Sequence, residues 1–238
     1  MNTTQLVSTT SPATRGRVTA KAGPVLPALL TEEVRRLCAQ FVAGADQAKR
    51  ILVAGPAGGE GVTTVAAALA LELGRVPGMH TLLVDANVRS PRVHTIFGLP
   101  LGPGLMTWNS EGELPTADVA GVPGLKVLAA GMKLDGSATG DSSAESFRLA
   151  KIAADVARVS TDEFDFVVWD AAPVSKYPDA TMLARLVDGV FFVVEADRTR
   201  LDHLAYAREQ MAGASGHVIG AILNRTRRYW PLKAKGRR

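Results

Sequence analysis

The sequence has a single cysteine, no long apolar run and no apolar stretch near its start. With Cys38 alone among 238 residues the chain can form no internal disulfide, which fits a reducing compartment. No stretch reaches the roughly 18–20 apolar residues that a membrane-spanning helix needs, and the first residues lack the apolar centre of a secretion signal. These absences predict a cytoplasmic protein, and 47% hydrophobic residues allow a sizeable core.

Acidic residues are missing from both ends of the chain. Residues 1–28 hold three basic residues and no acid, and residues 225–238 hold seven basic residues and no acid. We expect a flexible basic leader (1–28), a folded domain (29–224) and a basic C-terminal tail (225–238). Such a tail suits contact with anionic lipid, nucleic acid or an acidic partner, with a solvated tail as the alternative.

Short apolar runs that suit strands alternate with segments that have helical periodicity. The runs RILVAG, HTLLVDAN, FDFVVWD and GVFFVVEA are separated in this way. Strands and helices in alternation form βαβ units and a mainly parallel sheet, whose strands are apolar throughout because helices cover both faces. We therefore predict a doubly wound α/β fold. Residues 98–124 predict loop with one short helix near Met106–Ser110, and residues 131–143 predict a mobile loop.

The segment GPAGGEGVTT, residues 55–64, joins a predicted strand to a predicted helix and contains no lysine. Glycines allow backbone N–H groups to turn inward around phosphate oxygens. The helix that follows presents free N–H groups and the positive end of its dipole to an anion. The segment predicts a phosphate-binding loop, and its candidate nucleotide-binding residues are Gly58, Gly59, Glu60, Gly61, Val62, Thr63 and Thr64.

Polar residues end several of the predicted strands. Ligands of doubly wound sheets bind beyond the carboxyl ends of the strands, where Asp85, Asp170 and Asn224 all fall. Asp85, Asp170 and the Thr63 hydroxyl supply the oxygen donors that Mg²⁺ prefers, so we predict that these three hold a metal ion. The four histidines show no ligand spacing, and we expect no zinc or iron site.

At these residues the chain resembles a known family. The stretches GGEGVTTVAAALALELG, TLLVDANVRSPRVHTIFGLP, FDFVVWDAAPVSKYPDATMLARLVDGVFFVVEADRTR and GAILNRTRRYW are together similar to the cytoplasmic domain of bacterial tyrosine autokinases. That family acts in capsule and exopolysaccharide synthesis and lies in the MinD/ParA-like branch of P-loop ATPases. The resemblance covers roughly residues 30–230 and is specific as a set, because order, spacing and strand-end chemistry agree.

The resemblance implies a doubly wound fold, ATP and Mg²⁺ as cofactors, and regulation by a transmembrane chain-length co-polymerase. It makes Tyr229 the candidate phosphoacceptor and Asp85 the candidate catalytic carboxylate. In the wider superfamily an Asn at the position of Asn224 reads adenine, with a turn-capping Asn as the alternative. Glu32 and Arg35 match residues used in subunit packing, so a homo-oligomer is implied. The protein would then lie at the inner face of the cell membrane, held there by its partner.

The chain departs from the family where positive charge is expected. Val62 stands at the position of the phosphate-loop lysine, and Ala57 at the position of the superfamily's second lysine. Asn87 replaces one of two paired acids, and Cys38 replaces an arginine of the first helix. One hydrogen bond to a charged group contributes about 1.5–3 kcal/mol, so losing the lysine weakens triphosphate binding roughly ten- to a hundredfold. Phosphoryl transfer depends on well-placed cations more strongly than binding does, so its rate should fall by several powers of ten.

Three functions follow as hypotheses. The first is an accessory protein of exopolysaccharide synthesis that docks on the co-polymerase and binds nucleotide weakly or not at all. The second is an active tyrosine autokinase in which another cation replaces the missing lysine. Arg89 is a candidate for that cation, whereas the sequence does not place Lys49 or Lys176 at the loop. The third is a ParA-like positioning ATPase, which Ala57 argues against; we do not expect nucleic acid as a partner.

Overall fold

The computed structural model of the chain describes residues 19–20, 28–43, 48–132 and 142–226. Most of the predicted mobile loop at 131–143 and nearly all of the predicted tail, including Tyr229, lie outside these ranges. The α-helices in the described ranges are α1 (Ala28–Val42), α2 (Val62–Gly74), α3 (Val93–Phe97), α4 (Ser142–Val159), α5 (Asp179–Leu183) and α6 (Leu201–Gly213). The strands are β1 (Thr19–Ala20), β2 (Arg50–Ala54), β3 (Thr81–Asp85), β4 (Ala117–Val119), β5 (Val122–Leu128), β6 (Phe166–Asp170), β7 (Gly189–Glu195) and β8 (Val218–Asn224).

The strands form one sheet in the order β1-β4-β5-β3-β6-β2-β7-β8. All neighbouring pairs from β5 to β8 are parallel, and β4 runs antiparallel to β5. The direction in which successive strands are added to the sheet therefore reverses at its centre, around β2, β3 and β6. Ligands of such folds bind beyond the carboxyl ends of the strands at this point. The predicted mainly parallel sheet is confirmed.

Successive residues of the central strands face opposite sides of the sheet. Ile51 and Val53 pack with α1, α2 and α3, whereas Leu52 and Ala54 pack with α4, α5 and α6. Every residue of β3 and β6 is buried. Two apolar layers, one on each face, explain why the strands read as continuous apolar runs, and they confirm the doubly wound architecture.

The structure differs from the sequence predictions at one edge of the sheet. Thr19 and Ala20, inside the predicted flexible leader, form β1 and pair with Asp118 and Val119 of β4. The three residues of β4 were predicted as loop, because so short a strand has no apolar run of its own. The short helix predicted near Met106–Ser110 is a 3₁₀ helix at Leu105–Thr107.

The helices of the described ranges were also compared with the requirements of a membrane span. A spanning helix needs about 20 apolar residues. None of these helices is both long enough and apolar enough to cross a bilayer.

Candidate functional site

The loop between β2 and α2 has the backbone of an anion cradle. Gly58, Gly59 and Gly61 adopt φ angles of 99°, 98° and 90°, in the left-handed region that favours glycine. Gly61 is the N-cap residue of α2, and no side chain caps the first N–H groups of this helix. Gly58 and Gly59 are exposed, so this turn opens to solvent at the carboxyl edge of the sheet.

Glu60 ties the first half of the loop together. Its side chain is buried, and its carboxylate accepts N–H hydrogen bonds from Ala57 at 2.9 Å and from Gly58 at 2.8 and 2.9 Å. By contrast, the backbone N–H groups from Gly59 to Thr64 find no acceptor among the described residues. These N–H groups, at the start of a 13-residue helix, form a binding place for an anion.

Asn224 fastens the last strand to this loop. Its side-chain Nδ2 donates to the backbone carbonyl of Glu60 at 2.8 Å. A Cβ atom on Gly61 would lie 2.4 Å from the same nitrogen, so glycine is required there for the contact. In this arrangement Asn224 holds the loop in shape, and its predicted contact with adenine stays a prediction.

Val62 occupies the lysine position as a core residue. Its side chain is 9% exposed and packs in the apolar layer that contains α1, α2 and α3. Thr63 and Thr64 are half-buried beside it. The loop itself therefore presents backbone donors and hydroxyls but no cation.

Asp85 and Asp170 lie side by side at the ends of β3 and β6. They are register partners in the parallel sheet, and both are fully buried. One oxygen of Asp85 accepts N–H bonds from Arg92 at 3.2 Å and Val93 at 3.1 Å. The other oxygen of Asp85 and both oxygens of Asp170 have no hydrogen-bond partner among the described residues. Three buried carboxylate oxygens are thus left open.

Burial shifts the titration of both acids. It raises the pKa of Asp85 to about 7, although the backbone N–H bonds partly oppose the shift. Burial also raises the pKa of Asp170 well above its usual value, and the charge of Asp85 adds to the rise. The Thr63 hydroxyl opposes the rise from nearby, without completing a hydrogen bond to either Asp170 oxygen. Two neighbouring buried carboxyl groups with three oxygens unbonded favour the protonated form unless a cation joins them.

The donor set fits Mg²⁺. The open carboxylate oxygens and the Thr63 hydroxyl are hard oxygen ligands, which Mg²⁺ prefers to nitrogen or sulfur. Within the described ranges no group of three or more His, Cys, Asp or Glu side chains could enclose a metal ion. A cation at this place would therefore complete its coordination with water and with phosphate oxygens, as Mg²⁺ does in nucleotide sites.

The charge of Arg89 is already paired with acids of the same chain. Its guanidinium is buried and bonds Asp179 at 3.1 Å and Glu145 at 2.5 Å. It also lies 4.9 Å from the centre of the Tyr177 ring. These partners raise the pKa of Arg89 against the opposing effect of burial, and its charge is neutralised within the fold. The suggestion that Arg89 substitutes for the lysine is wrong for this reason.

Lys176 is the basic residue that the fold does bring to the loop. Its ammonium nitrogen lies 3.5 Å from the place that a Cβ atom on Gly58 would take. Sequence reasoning missed this residue because Lys176 belongs to the turn after β6, far from the loop in sequence. The pairing of β2 with β6 in the sheet brings the two segments together.

The residues predicted to serve subunit packing lie on α1, away from the loop. The guanidinium of Arg35 bonds Glu32 at 3.4 Å and the buried Glu72 of α2 at 3.2 Å, so it joins two helices of the same chain. Cys38 is buried against α2, and burial raises the pKa of its thiol to about 12. The role of Glu32 and Arg35 in oligomer contacts stays a prediction.

A doubly wound parallel sheet with a glycine-rich loop before a helix, and with two acids at the ends of adjacent strands, is the architecture of the P-loop NTPase fold. The profile of the family described as "Cellulose biosynthesis protein BcsQ" matches residues 48–233. The chain belongs to this family.

Curated relatives include tyrosine kinases of bacteria. The chain is 28% identical to "Tyrosine-protein kinase YwqD" of Bacillus subtilis over 187 residues, which are 78% of this chain and 76% of the relative. It is 31% identical to "Succinoglycan biosynthesis transport protein ExoP" of Rhizobium meliloti over 193 residues, which are 79% of this chain and 24% of that longer protein. The resemblance to tyrosine kinases of exopolysaccharide synthesis is confirmed.

Solved structures show the same fold. "Crystal structure of the chimerical protein CapA2B2" superposes with a TM-score of 0.70 and 23% identity, over 88% of this chain and 94% of the other. The septum site-determining protein MinD of Pyrococcus horikoshii, complexed with Mg-ADP, superposes with a TM-score of 0.59 and 17% identity, over 74% and 69%. The predicted MinD/ParA-like fold is confirmed.

Proposed function

We propose that this protein is a nucleotide-binding accessory component of exopolysaccharide synthesis, built as a tyrosine autokinase domain but weak in phosphoryl transfer. The observation that carries the proposal is the open site: the unbonded N–H groups from Gly59 to Thr64 lie at the carboxyl edge that also holds the unpartnered oxygens of Asp85 and Asp170. Buried polar groups without partners cost free energy and are kept where a ligand satisfies them.

The loop supports binding of the phosphates of ATP. Backbone N–H groups and the positive end of α2 attract the phosphate oxygens without a lysine. Thr63, Asp85 and Asp170 would hold Mg²⁺, directly or through water. The ion supplies positive charge that offsets the two carboxylates and the phosphates. The MinD relative with bound Mg-ADP supports this assignment through its shared fold.

Two replacements argue for weak transfer. Val62 places a methyl-bearing side chain in the core where the family places a lysine. Asn87, in place of an acid, accepts the N–H of Ser90 at 3.3 Å and so serves the turn after β3. Transfer depends on cations and a carboxylate placed around the moving phosphoryl group. Both the lysine and one of the two paired acids are replaced in this chain, so Asp85 remains as the candidate catalytic acid of the pair.

The names of the relatives support the proposed partner and location. ExoP is named a succinoglycan biosynthesis transport protein, and the family is named for cellulose biosynthesis. We therefore place the chain in the cytoplasm beside a transmembrane co-polymerase, docked at the inner face of the membrane. Packing of subunits through Glu32 and Arg35, and contact of the basic tail with the partner or lipid, belong to the same proposal.

Titration of the purified protein with a fluorescent ATP analogue, with and without Mg²⁺, tests the proposal. We expect Mg²⁺-dependent binding in the submillimolar to millimolar range and no phosphotyrosine signal after incubation with MgATP. Absence of nucleotide binding at any concentration would refute the nucleotide-binding part. An anti-phosphotyrosine signal that is lost in Tyr229→Phe would show an active autokinase instead.

The Val62→Lys variant sharpens this test. A lysine at this position restores the missing charge, and binding should tighten roughly tenfold, the lower bound for one hydrogen bond to a charged group. Val62→Met serves as the control, because it adds length without charge. Equal affinities for the two variants would contradict the view that charge is what this loop has lost.

A further inference from the structure

We propose that Lys176 is the phosphate-binding cation of this site and takes over part of the role of the lysine that Val62 replaces. The proposal rests on the nucleotide-binding function proposed above. It assigns the ligand of Lys176 as the phosphate groups of a nucleotide bound in the loop at residues 55–64.

The ammonium of Lys176 lies at the open rim of the loop. Its Nζ is 3.5 Å from the Cβ position of Gly58, and the Pro173 ring touches the same position at 2.9 Å. Gly58 itself is exposed, as is Lys176. The side chain therefore lies against the loop backbone while its charged end remains accessible to a ligand from solvent.

The turn that carries Lys176 is fixed to the phosphate loop. The N–H of Val174 donates to the carbonyl of Gly55 at 3.0 Å, and the N–H of Ser175 donates to the carbonyl of Pro56 at 3.0 Å. On the other side of Lys176, the Tyr177 ring lies under the buried guanidinium of Arg89. With both of its neighbours anchored, the backbone of Lys176 keeps its place relative to the loop.

The charge of Lys176 is uncommitted. It forms no ion pair or hydrogen bond with any side chain in the part of the chain that the structure describes. Glu60, the acid of the loop, is already held by the N–H groups of Ala57 and Gly58. An ammonium beside a row of unbonded N–H groups produces a positive region that attracts a polyanion.

The neighbouring carboxylates indicate that this region receives a ligand. Asp170 is fully buried, and neither of its oxygens has a partner among the described residues. Asp170 ends β6, and three residues later Pro173 begins the turn that bears Lys176. A phosphate with a bound cation would satisfy the N–H groups, the ammonium and the carboxylates together.

Binding of a fluorescent ATP analogue with Mg²⁺ to the full chain tests the proposal. We expect Lys176→Gln to weaken binding by about tenfold, since one hydrogen bond between an ammonium and a phosphate is lost. Lys49→Gln is the matched control, because Lys49 is also exposed and unpaired in the described ranges but lies at the opposite edge of the sheet. Its affinity should equal that of the unaltered protein.

Salt and the Val62→Lys variant provide two further readouts. Raising the salt concentration should weaken binding to the unaltered protein more than to Lys176→Gln, because the lost contact is electrostatic. In a Val62→Lys background, Lys176→Gln should cost less than in the unaltered background, since a second cation then serves the same phosphates.

Two different failures are distinguishable. If the unaltered protein binds no nucleotide, the proposed function fails and this inference fails with it. If the unaltered protein binds nucleotide and Lys176→Gln binds as tightly as Lys49→Gln, only the assignment of Lys176 is overturned. Circular dichroism of both variants checks that each remains folded.

Discussion

Acidic residues lie at both edges of the sheet, but the two edges use them differently. At the amino edge, Asp188 accepts N–H bonds from Lys49 at 2.8 Å and from Arg50 at 2.7 Å. Asp165 accepts the N–H of His80 at 2.8 Å. These carboxylates join the starts of neighbouring strands and remain exposed to water, so they stabilise the fold at little cost.

At the carboxyl edge, Asp85 and Asp170 are buried and three of their four oxygens are left open. Asp85 keeps one oxygen and Asp170 keeps both without a partner among the described residues. The same side chain in the same sheet is thus a structural acceptor at one edge and an unsatisfied group at the other. A site is therefore recognised by the polar groups that the fold leaves unbonded, more than by which residue types are present.

The largest effect should come from breaking the buried ion pair between Arg89 and Asp179. Arg89→Gln leaves Asp179, which is fully buried, without its cation. Loss of one partner of a buried ion pair costs about 3–5 kcal/mol, and we expect a loss of that order in the free energy of unfolding, measured with urea. Arg92→Gln, at an exposed arginine nearby, should change it by less than about 0.5 kcal/mol. A small loss for Arg89→Gln would contradict the distinction between paired and open acids.

The pH dependence of stability should separate the open acids from the rest. Burial raises the pKa of Asp85 from near 3.8 to about 7, so the folded protein binds more protons than the unfolded chain between these values. The protonated Asp85 makes its full contribution to the free energy of unfolding below about pH 4. This contribution is lost as the pH rises through about 7. Between pH 5 and pH 8, without Mg²⁺, this amounts to a loss on the order of 2 kcal/mol.

Asp85→Asn provides the control for this pH effect. An amide does not titrate, so the variant should lose less stability than the unaltered protein over the same pH range. Thermal unfolding at pH 5 and pH 8 measures both. Parallel pH profiles for the two proteins would show that Asp85 titrates normally in the folded state.

A smaller effect should appear when one open acid is neutralised. Asp170→Asn removes a ligand of the proposed metal ion, and nucleotide binding with Mg²⁺ should weaken by about tenfold. Binding without Mg²⁺ should not change. The free energy of unfolding should not fall, because the amide removes repulsion between two buried carboxylates. Destabilisation together with unchanged Mg²⁺ dependence would show that Asp170 is structural.

The smallest effect should come from the amino edge. Asp188→Ala removes the acceptor of two backbone N–H groups, but water reaches both, so we expect a loss of about 1 kcal/mol in the free energy of unfolding. Nucleotide affinity should be unchanged, since the residue lies at the far edge of the sheet. A change in affinity similar to that of Asp170→Asn would remove the functional difference between the two edges.

Most of the fold could be predicted from the sequence, because its signals are local. Apolar runs such as those of β2, β3, β6 and β7 predicted buried parallel strands, and the glycines of the loop predicted its turn. β4 escaped prediction because three residues carry no periodic pattern. β1 escaped because it exists only through pairing with β4.

The candidate site was predictable only in part. Strand ends and loop spacing predicted Thr63, Asp85 and Asp170 as site residues. The structure does place the two acids side by side. Arg89 was a reasonable candidate from its position after β3, yet tertiary packing directs it to Asp179 and Glu145. Lys176 could not be selected, since any basic residue in any turn at that edge was equally eligible.

Local patterns in the sequence were enough to locate most of the strands, the glycine-rich loop and the absence of a lysine from it. These properties depend on the spacing and chemistry of neighbouring residues in the chain. Which charges are neutralised and which stay open became visible only in the folded molecule. That choice depends on distances of a few ångströms between segments far apart in sequence, and electrostatic and hydrogen-bond energies change steeply over such distances.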